Sequence, residues 1–217
     1  MTKKQGGMDP GLAILLKKAP SEEMDYGFVM DCLRGYQNPR VKLNQLVKMG
    51  AIIRVKKGVY IFGESCRRRP FSKEVLANII YGPSYVSLEW ACQYYRLIPE
   101  KVTVVTSVTP KRTKSFSTPV GRFEYQHLPS KAYTPGMTTV ELAPHQTALM
   151  ATPEKALVDL LVLRRRTIRS LKEISEILFE DLRVEEEDLN QLDLKAIEMA
   201  HKSRPHSATR FLLELLS

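Results

Sequence analysis

The chain has 217 residues, 43% of them hydrophobic, and a net charge of +9. This composition indicates a globular protein with one large or two small domains rather than a disordered or fibrous chain. No apolar run approaches the roughly 18 residues of a membrane span, and MTKKQGGMDPG at the start lacks a signal-peptide core. We therefore expect a cytoplasmic protein without a transmembrane segment.

The cysteine pattern argues against a disulfide framework and against a metal site. Cys32, Cys66 and Cys92 are few, odd in number and far apart, and no Cys-x-x-Cys pair occurs. Such spacing fits reduced thiols. We predict no metal site.

The positive charge is concentrated in the first third of the chain. Lys and Arg outnumber Asp and Glu by 14 to 6 in residues 1–69 and by 8 to 5 in residues 70–150, whereas residues 151–217 hold 11 against 13. A polyanion such as nucleic acid, or an anionic surface, is the natural partner of such a segment. Solubility alone is the alternative explanation.

Three helices are predicted in this basic segment. DPGLAILLKKA has Asp9 as an N-cap with proline next to it, and YGFVMDCL is a second apolar segment that packs its larger side chains inward. QNPRVKLNQLVKMG begins with Asn38 as a cap and Pro39 at the first helical position, and Gly50 ends it.

The third predicted helix has two distinct faces, and a hairpin follows it. At 100° per residue, Leu43, Leu46 and Val47 fall on one arc, while Arg40, Asn44, Gln45 and Lys48 fall on the opposite arc. AIIRVKKGVYIF then reads as two strands joined at Lys56-Lys57-Gly58, where glycine supplies the positive φ of a tight turn.

Three helices followed by a hairpin predict a winged helix-turn-helix domain over residues 1–69, which places the third helix in the major groove of DNA. Arg40, Asn44 and Gln45 have the hydrogen-bonding groups that read base edges, and the other basic residues are expected to contact phosphates. The predicted DNA-binding set is Arg40, Lys42, Asn44, Gln45, Lys48, Arg54, Lys56 and Lys57. For each residue taken singly, an ordinary solvated surface position is an equal alternative.

The segment CRRRPF at 66–71 either extends the basic surface or forms a charged linker. Beyond it, SKEVLANIIYG predicts a helix capped by Ser72, and SYVSLEWACQYYRLIP predicts another capped by Ser87. Trp90 and Tyr94, four residues apart, are more typical of a core pair than of a ligand platform. KVTVVTSVT, GRFEYQHL and TTVELA read as strands, and Lys111, Arg112 and Lys114 are expected in a loop between the first two.

Several spaced motifs together resemble one known family. They are Tyr85-x-Ser87-Leu88-Glu89, Leu97-Ile98-Pro99-Glu100, Thr106-Ser107-Val108-Thr109, Gly121-x-Phe123-x-Tyr125 and Pro153-Glu154-Lys155-Ala156-Leu157-x-Asp159. With the hairpin GAIIRVKKGVYIF before them, they resemble the AbiEi family, the antitoxin and repressor partners of type IV (abortive infection) toxin–antitoxin pairs. The resemblance covers roughly residues 10–165.

The resemblance implies a winged-helix domain that binds the promoter of its own operon. It also implies that an α/β domain with additional helices follows and serves the antitoxin role. The implied partner is a toxin of the nucleotidyltransferase type.

Motifs of catalysis are missing from the sequence. No Gly-x-Ser-x-Gly, His-Glu-x-x-His, phosphate-binding glycine loop or dinucleotide fingerprint occurs, so we predict no enzymatic activity and no cofactor. His127, which could partner Glu124 or Glu141, is expected to be a surface or hydrogen-bonded residue. Asp159 is expected to be half-buried and to need a partner such as Lys155 or an arginine, and we interpret it as part of a structural ion pair.

The helix of ATPEKALVDLL, capped by Thr152, continues into Arg164, Arg165 and Arg166, which could bind phosphate or an acidic partner or be solvated. The last third is amphipathic and helical, with caps at Ser170 and Ser207. Phe211, Leu212, Leu215 and Leu216 either close the core or form a docking surface for a toxin.

The sequence therefore predicts an α+β protein. Residues 1–69 form a winged helix-turn-helix domain, and residues 70–217 form a mixed α/β domain with a small sheet and a C-terminal helical bundle. The expected function is a DNA-binding repressor that autoregulates its operon and neutralises a nucleotidyltransferase-like toxin. An orphan winged-helix regulator with a small-molecule or protein sensor domain is the alternative.

Overall fold

The computed structural model describes residues 8–144, 146–164 and 167–217. Helices and strands are mixed along the chain, so the predicted α+β class is confirmed. The chain divides into two compact units. The first contains the described residues up to Ser72 together with those of Ala143–Gln146, and the second contains those of Lys73–Leu142 and Thr147–Ser217. Across the described ranges, none of the helices has the length and apolar character needed to cross a bilayer.

In the first unit, helices and short strands alternate. They are α1 (Pro10–Lys18), β1 (Glu23–Asp25), α2 (Tyr26–Cys32), α3 (Pro39–Lys48), β2 (Ile52–Lys56) and β3 (Val59–Phe62). The strands form an antiparallel sheet in the order β1-β3-β2, with Met24 opposite Tyr60 and Ile53 opposite Ile61. Strand β1 was not predicted, because three residues carry too little periodicity to identify a strand.

The ends of α1 and α3 follow local capping rules, with one exception. The Asp9 side chain accepts hydrogen bonds from the backbone amides of Gly11 (2.9 Å) and Leu12 (3.3 Å), which confirms the predicted cap. Gly50, just after α3, has a φ of 73°, a left-handed conformation that favours glycine. Asn38 occupies the N-cap position of α3, but its side chain makes no capping hydrogen bond, so that part of the prediction is wrong.

A single hydrophobic core holds the helices of the first unit against its sheet. Its most buried members are Leu15, Val29, Leu33, Leu46 and Phe62, each with no exposed surface. Full burial of one such side chain stabilises the fold by about 1.5–3 kcal/mol. Because Leu46 and Leu43 fix α3 through its apolar side, the opposite side of that helix faces solvent.

The second unit is built around a mixed sheet. Its strands are β4 (Tyr85–Val86), β5 (Val105–Thr109), β6 (Lys114–Thr118), β7 (Gly121–His127), β8 (Met137–Ala143) and β9 (Gln146–Ala151), in the order β6-β7-β5-β4-β9-β8. Pairs β5/β7 and β4/β9 are parallel, and β4/β5 and β6/β7 are antiparallel. The predicted small sheet missed β4, β6 and β9, and Lys114 begins a strand rather than lying in a loop.

Helices cover this sheet. They are α4 (Lys73–Ile80), α5 (Leu88–Tyr94), α6 (Ser130–Tyr133), α7 (Pro153–Arg164), α8 (Leu171–Ser175), a π-helical turn (Glu176–Asp181), α9 (Glu186–Asn190), α10 (Leu194–Ser203) and α11 (Ser207–Leu216). Helix α7 is buried along most of its length and packs against α5, α10 and α11. It is the central helix of the unit.

The predicted caps of these helices had mixed outcomes. The Ser170 hydroxyl accepts from the amide of Glu173 at 3.1 Å, which confirms that cap. Ser207 is wrong as a cap, because α11 begins there and His206 Nδ1 accepts from the amide of Ala208 at 3.1 Å. Residues 184–203 lie in the part predicted to be helical and form two helices, α9 and α10, since Asp193 caps a new helix there.

The structure decides two predictions about apolar residues. Phe211 and Leu212 are buried, which confirms the alternative in which they close the core, whereas Leu215 and Leu216 are half-buried. Tyr94 is 41% exposed and therefore does not form a core pair with Trp90. The Trp90 indole instead donates to Glu74 at 2.9 Å.

Candidate nucleic-acid interface

Helix α3 presents a continuous polar and basic face to solvent. The exposed residues of this face are Arg40, Asn44, Gln45 and Lys48. They fall at the helical spacings that align side chains on one side, while Leu43 and Leu46 anchor the other side in the core. The predicted division of α3 into two faces is confirmed. The exposed face offers amide and guanidinium groups suited to base edges, as well as an ammonium suited to phosphate.

Val41 belongs to the same exposed face, and the sequence prediction missed it. Its side chain is 50% exposed and it is not part of the core cluster of the first unit. Val41 lies three and four residues before Asn44 and Gln45, so the three side chains adjoin one another. The signal that could have found it is an apolar residue on the polar arc of an otherwise amphipathic helix.

Lys42 has an internal partner. Its ammonium lies 2.6 Å from the Asp9 carboxylate, and the two side chains are only 13% and 17% exposed. Burial alone would raise the pKa of Asp9, but the hydrogen bond from Lys42 and those from the Gly11 and Leu12 amides hold it below its ordinary value. Lys42 thus ties α3 to the start of α1, which distinguishes it from the exposed residues of the predicted set.

The hairpin of β2 and β3 ends in a tight turn at Lys57 and Gly58. Gly58 has a φ of 89°, as the predicted turn requires. The backbone amide of Tyr26, at the start of α2, donates to the Gly58 carbonyl at 2.9 Å. Because this bond links the turn to a helix start, the hairpin tip is held in place next to α2.

A cleft lies between the start of α3 and the hairpin. Its volume is about 570 Å³, and its lining residues are Tyr26, Arg40, Arg54, Lys57, Gly58 and Tyr60. Arg40 Nε donates to the Tyr26 hydroxyl at 2.8 Å, which orients the guanidinium along the cleft. Two guanidinium groups and one ammonium therefore face an open space large enough for a phosphate group and its sugar.

Four cations of α3 and the hairpin remain available to bind an anion. Among the described residues, Arg40, Lys48, Arg54 and Lys57 form no ion pair with a carboxylate within 4 Å. The positive end of the α3 dipole adds to their field, and the Asn38 side chain leaves the first amides of that helix uncapped. This concentration of uncompensated positive charge attracts an anion.

The arginines of CRRRPF do not extend this basic face. Arg68 donates to the buried Glu22 carboxylate at 3.2 Å and to the carbonyls of Leu16 and Ala19, both at 3.0 Å. Arg69 donates to the Pro20 carbonyl at 2.7 Å. Both side chains bind groups of the first unit, so they do not extend the basic face. Residues 66–71 have no helix or strand and end just before the boundary at Ser72, which agrees with the charged-linker alternative.

The buried Glu23 lies beside this arginine cluster. Its Oε1 accepts from the Ser72 amide and, at 3.3 Å, from the Gln146 side chain, whereas no hydrogen bond reaches Oε2 among the described residues. Burial raises the pKa of the Glu23 carboxyl, despite the Ser72 amide that favours the charged form.

In the second unit, the buried Asp159 forms the ion pair with Lys155 that the sequence predicted. The Tyr85 hydroxyl and the Ser87 hydroxyl also donate to its Oδ2, at 2.8 and 2.9 Å. Ser87 therefore binds Asp159 and does not cap α5, which corrects the predicted cap. All three donors satisfy one buried carboxylate, as a structural network requires.

The remaining polar residues that the sequence singled out are dispersed. His127 is exposed, and its Nδ1 lies 2.9 Å from the Lys111 carbonyl rather than near Glu124 or Glu141. Arg164 is paired with Glu89 at 2.7 Å. Arg165 and Arg166 lie outside the described residues.

No metal site is formed by the part of the chain that the structure describes, since no three His, Cys, Asp or Glu side chains converge there. No model of a known protein family matches the chain, and no curated protein matches it either. The resemblance to the AbiEi family thus stays a prediction based on the motifs alone.

Proposed function

We propose that the first unit is a winged helix-turn-helix domain that binds duplex DNA. The observation that carries the proposal is the order α1-β1-α2-α3-β2-β3 with the sheet β1-β3-β2, joined to an exposed basic face on α3. In winged-helix domains, the third helix enters the major groove and the hairpin contacts the neighbouring backbone. Helix α3 has ten residues, about 15 Å, and a major groove about 12 Å wide accommodates one helix.

The side chains of this face divide into two functional groups. Arg40, Asn44 and Gln45 read base edges, and Val41 beside them contacts the methyl group of a thymine. Lys48, Arg54, Lys56 and Lys57 bind phosphates, which supplies affinity without sequence information. The bond from Tyr26 makes that residue a positioning residue for Arg40.

The biological role follows from the resemblance to the AbiEi family. The protein binds the promoter of its own operon as a repressor, and the second unit neutralises a toxin of the nucleotidyltransferase type by binding it. Phe211 and Leu212 are buried, so we do not assign the toxin contact to them. No catalytic step belongs to this function.

Salt-dependent binding to the DNA upstream of the gene tests the DNA-binding role. The full chain should bind this fragment more tightly than random duplex of the same length, and the affinity for both should fall as salt rises. Equal affinity for the two fragments at every salt concentration would contradict sequence-specific binding.

Co-expression tests the antitoxin role separately. If the adjacent reading frame encodes a nucleotidyltransferase-like protein, its expression alone should arrest growth, and co-expression of this chain should restore growth. If there is no such neighbour, or if co-expression gives no rescue, the orphan regulator becomes the better interpretation.

A further inference from the structure

A second cationic cleft lies in the second unit, at the turn before β6. Its lining residues are Tyr81, Pro110, Lys111, Arg112, Thr113 and His127, and we call it the Tyr81 cleft. Its volume is about 580 Å³, within the range of about 300–1,000 Å³ for small-molecule sites. The cleft combines an aromatic wall with a set of cations that have no carboxylate partner among the described residues.

The cations come from one short segment. Lys111, Arg112 and Lys114 are all exposed, and within the described part of the chain none of them pairs with a carboxylate within 4 Å. The Lys111 ammonium lies 5.4 Å from the centre of the Tyr81 ring, and the Lys114 ammonium lies 5.9 Å from it. Two ammonium groups therefore lie beside one aromatic ring and a guanidinium lines the same cleft, and no described carboxylate pairs with any of the three.

The aromatic wall is held in a fixed position. The centre of the Tyr81 ring lies 5.6 Å from that of Phe116 and 5.3 Å from that of Tyr125. Tyr125 is buried, and its hydroxyl donates to the Ala77 carbonyl at 2.7 Å. The Tyr81 ring is therefore packed against two aromatic neighbours, one of them anchored by a hydrogen bond, while part of its surface lines the cleft.

This combination selects among anionic partners. A phosphate backbone supplies the negative charge that the cations lack, and an unpaired base supplies a flat ring that stacks on an aromatic side chain. Bases of a duplex are already stacked on one another, so a duplex gains nothing from Tyr81. The Asp and Glu side chains of an acidic peptide have the charge but no flat ring.

We infer that the Tyr81 cleft binds single-stranded nucleic acid. One base stacks on Tyr81. Lys111 and Lys114 leave the ring and, together with Arg112, bind the adjoining phosphates. This activity is separate from duplex binding by the first unit, so it does not depend on the function proposed above.

The test uses the full chain with Lys48, Arg54 and Lys57 changed to Ala, which suppresses binding by the first unit. The probe is a fluorescent oligothymidylate of about twelve nucleotides, within the site sizes of single-strand binding proteins. Its affinity is measured by anisotropy across a series of salt concentrations. The same series with a duplex probe identifies any residual duplex binding.

In this background, changing Lys111, Arg112 and Lys114 to Ala should lower the slope of log affinity against log salt by about 2, since each phosphate contact with a single strand contributes about 0.7. The charge-matched control changes the exposed Lys172, Lys195 and Lys202 of the C-terminal helices to Ala and should leave the slope unchanged. Equal effects of the two triple variants would overturn the inference.

Changing Tyr81 to Leu keeps an apolar side chain but removes the stacking surface. It should lower the affinity about 5- to 150-fold without a change of slope. Thermal unfolding verifies that this variant is folded, and a 5-iodouracil probe should cross-link to Tyr81 in the parent chain independently of any mutation. Two results would refute the site. One is a lack of single-strand binding by the parent chain at low salt, and the other is unchanged single-strand binding after Lys111, Arg112 and Lys114 are changed to Ala.

Discussion

The division of the α3 and hairpin residues into base readers and phosphate binders gives a quantitative prediction. One variant changes the exposed Lys48, Arg54 and Lys57 to Ala, and the other changes Asn44 to Ala. The first removes three positive charges without carboxylate partners. The second removes one amide from the centre of the exposed α3 face and leaves the charge unchanged.

The two variants should change DNA binding in different ways, one through the salt dependence and the other through the affinity for the upstream fragment. Each phosphate contact contributes about 0.9 to the slope of log affinity against log salt, so the triple variant should lower the slope by about 2.7. When the salt concentration is raised fourfold, the affinity of the parent chain should therefore fall by a factor about 40 times larger than the factor for the triple variant. Loss of one bidentate base contact costs about 1–3 kcal/mol, so N44A should bind the upstream fragment about 5- to 150-fold more weakly with its slope unchanged.

Gel shifts with the upstream fragment and with random duplex, over a series of salt concentrations, measure both quantities. N44A should weaken binding to the upstream fragment but not to random duplex, whereas the triple variant should weaken binding to both. The C-terminal triple variant of Lys172, Lys195 and Lys202 is the charge control. If N44A and the triple variant of Lys48, Arg54 and Lys57 lose equal affinity on both fragments, the assignment of roles is wrong.

Changing Tyr26 to Phe removes the hydrogen bond that orients Arg40. Because such a bond contributes about 0.5–1.5 kcal/mol, binding to the upstream fragment should weaken about two- to tenfold and binding to random duplex should not change. Equal losses on both fragments would contradict a positioning role. Changing Lys155 to Met leaves Asp159 buried without its cation, so the free energy of unfolding measured in urea should fall by about 3–5 kcal/mol. Adding Asp159→Asn, which keeps an acceptor but no charge, should recover part of this loss, and a double variant no more stable than the single would contradict the ion-pair explanation. Because burial raises the pKa of Glu23, its neutral form contributes stability that is present below about pH 4 and is lost as the pH rises through the raised value. Glu23→Gln should therefore stabilise the fold at neutral pH but not in acid, and an equal effect on thermal unfolding at both pH values would refute this account.

Local sequence signals predicted α3 and the hairpin well. The spacing of Leu43 and Leu46 gave the buried side of the helix, and Gly50 and Gly58 gave the turns that follow, because both conformations have positive φ. These features depend on residues within one or two turns of each other. The exposure of Asn44, Gln45 and Lys48 followed from the same periodicity, whereas that of Val41 did not.

Contacts between distant residues were not predictable in the same way. Strands β1 and β4 have three and two residues, so they exist only through pairing with β3 and with β5 and β9. Ser87 has the sequence position of a helix cap, yet its hydroxyl binds Asp159, 72 residues away. A helix-capping propensity describes only the partners that a hydroxyl finds nearby in the sequence. The buried carboxylate of Asp159 needs hydrogen-bond donors, and this need decides which partner the Ser87 hydroxyl binds.

The sequence by itself determined which side of α3 is apolar, where the hairpin turns, and that the first third is strongly basic. Only the tertiary structure decided which of those charges remain available. It pairs Lys42 with Asp9 and Arg68 with Glu22, and it leaves Arg54 and Lys57 facing a cleft. The physical reason is that the net charge of a segment is a sum over its residues, whereas the field at its surface depends on which charges folding brings together.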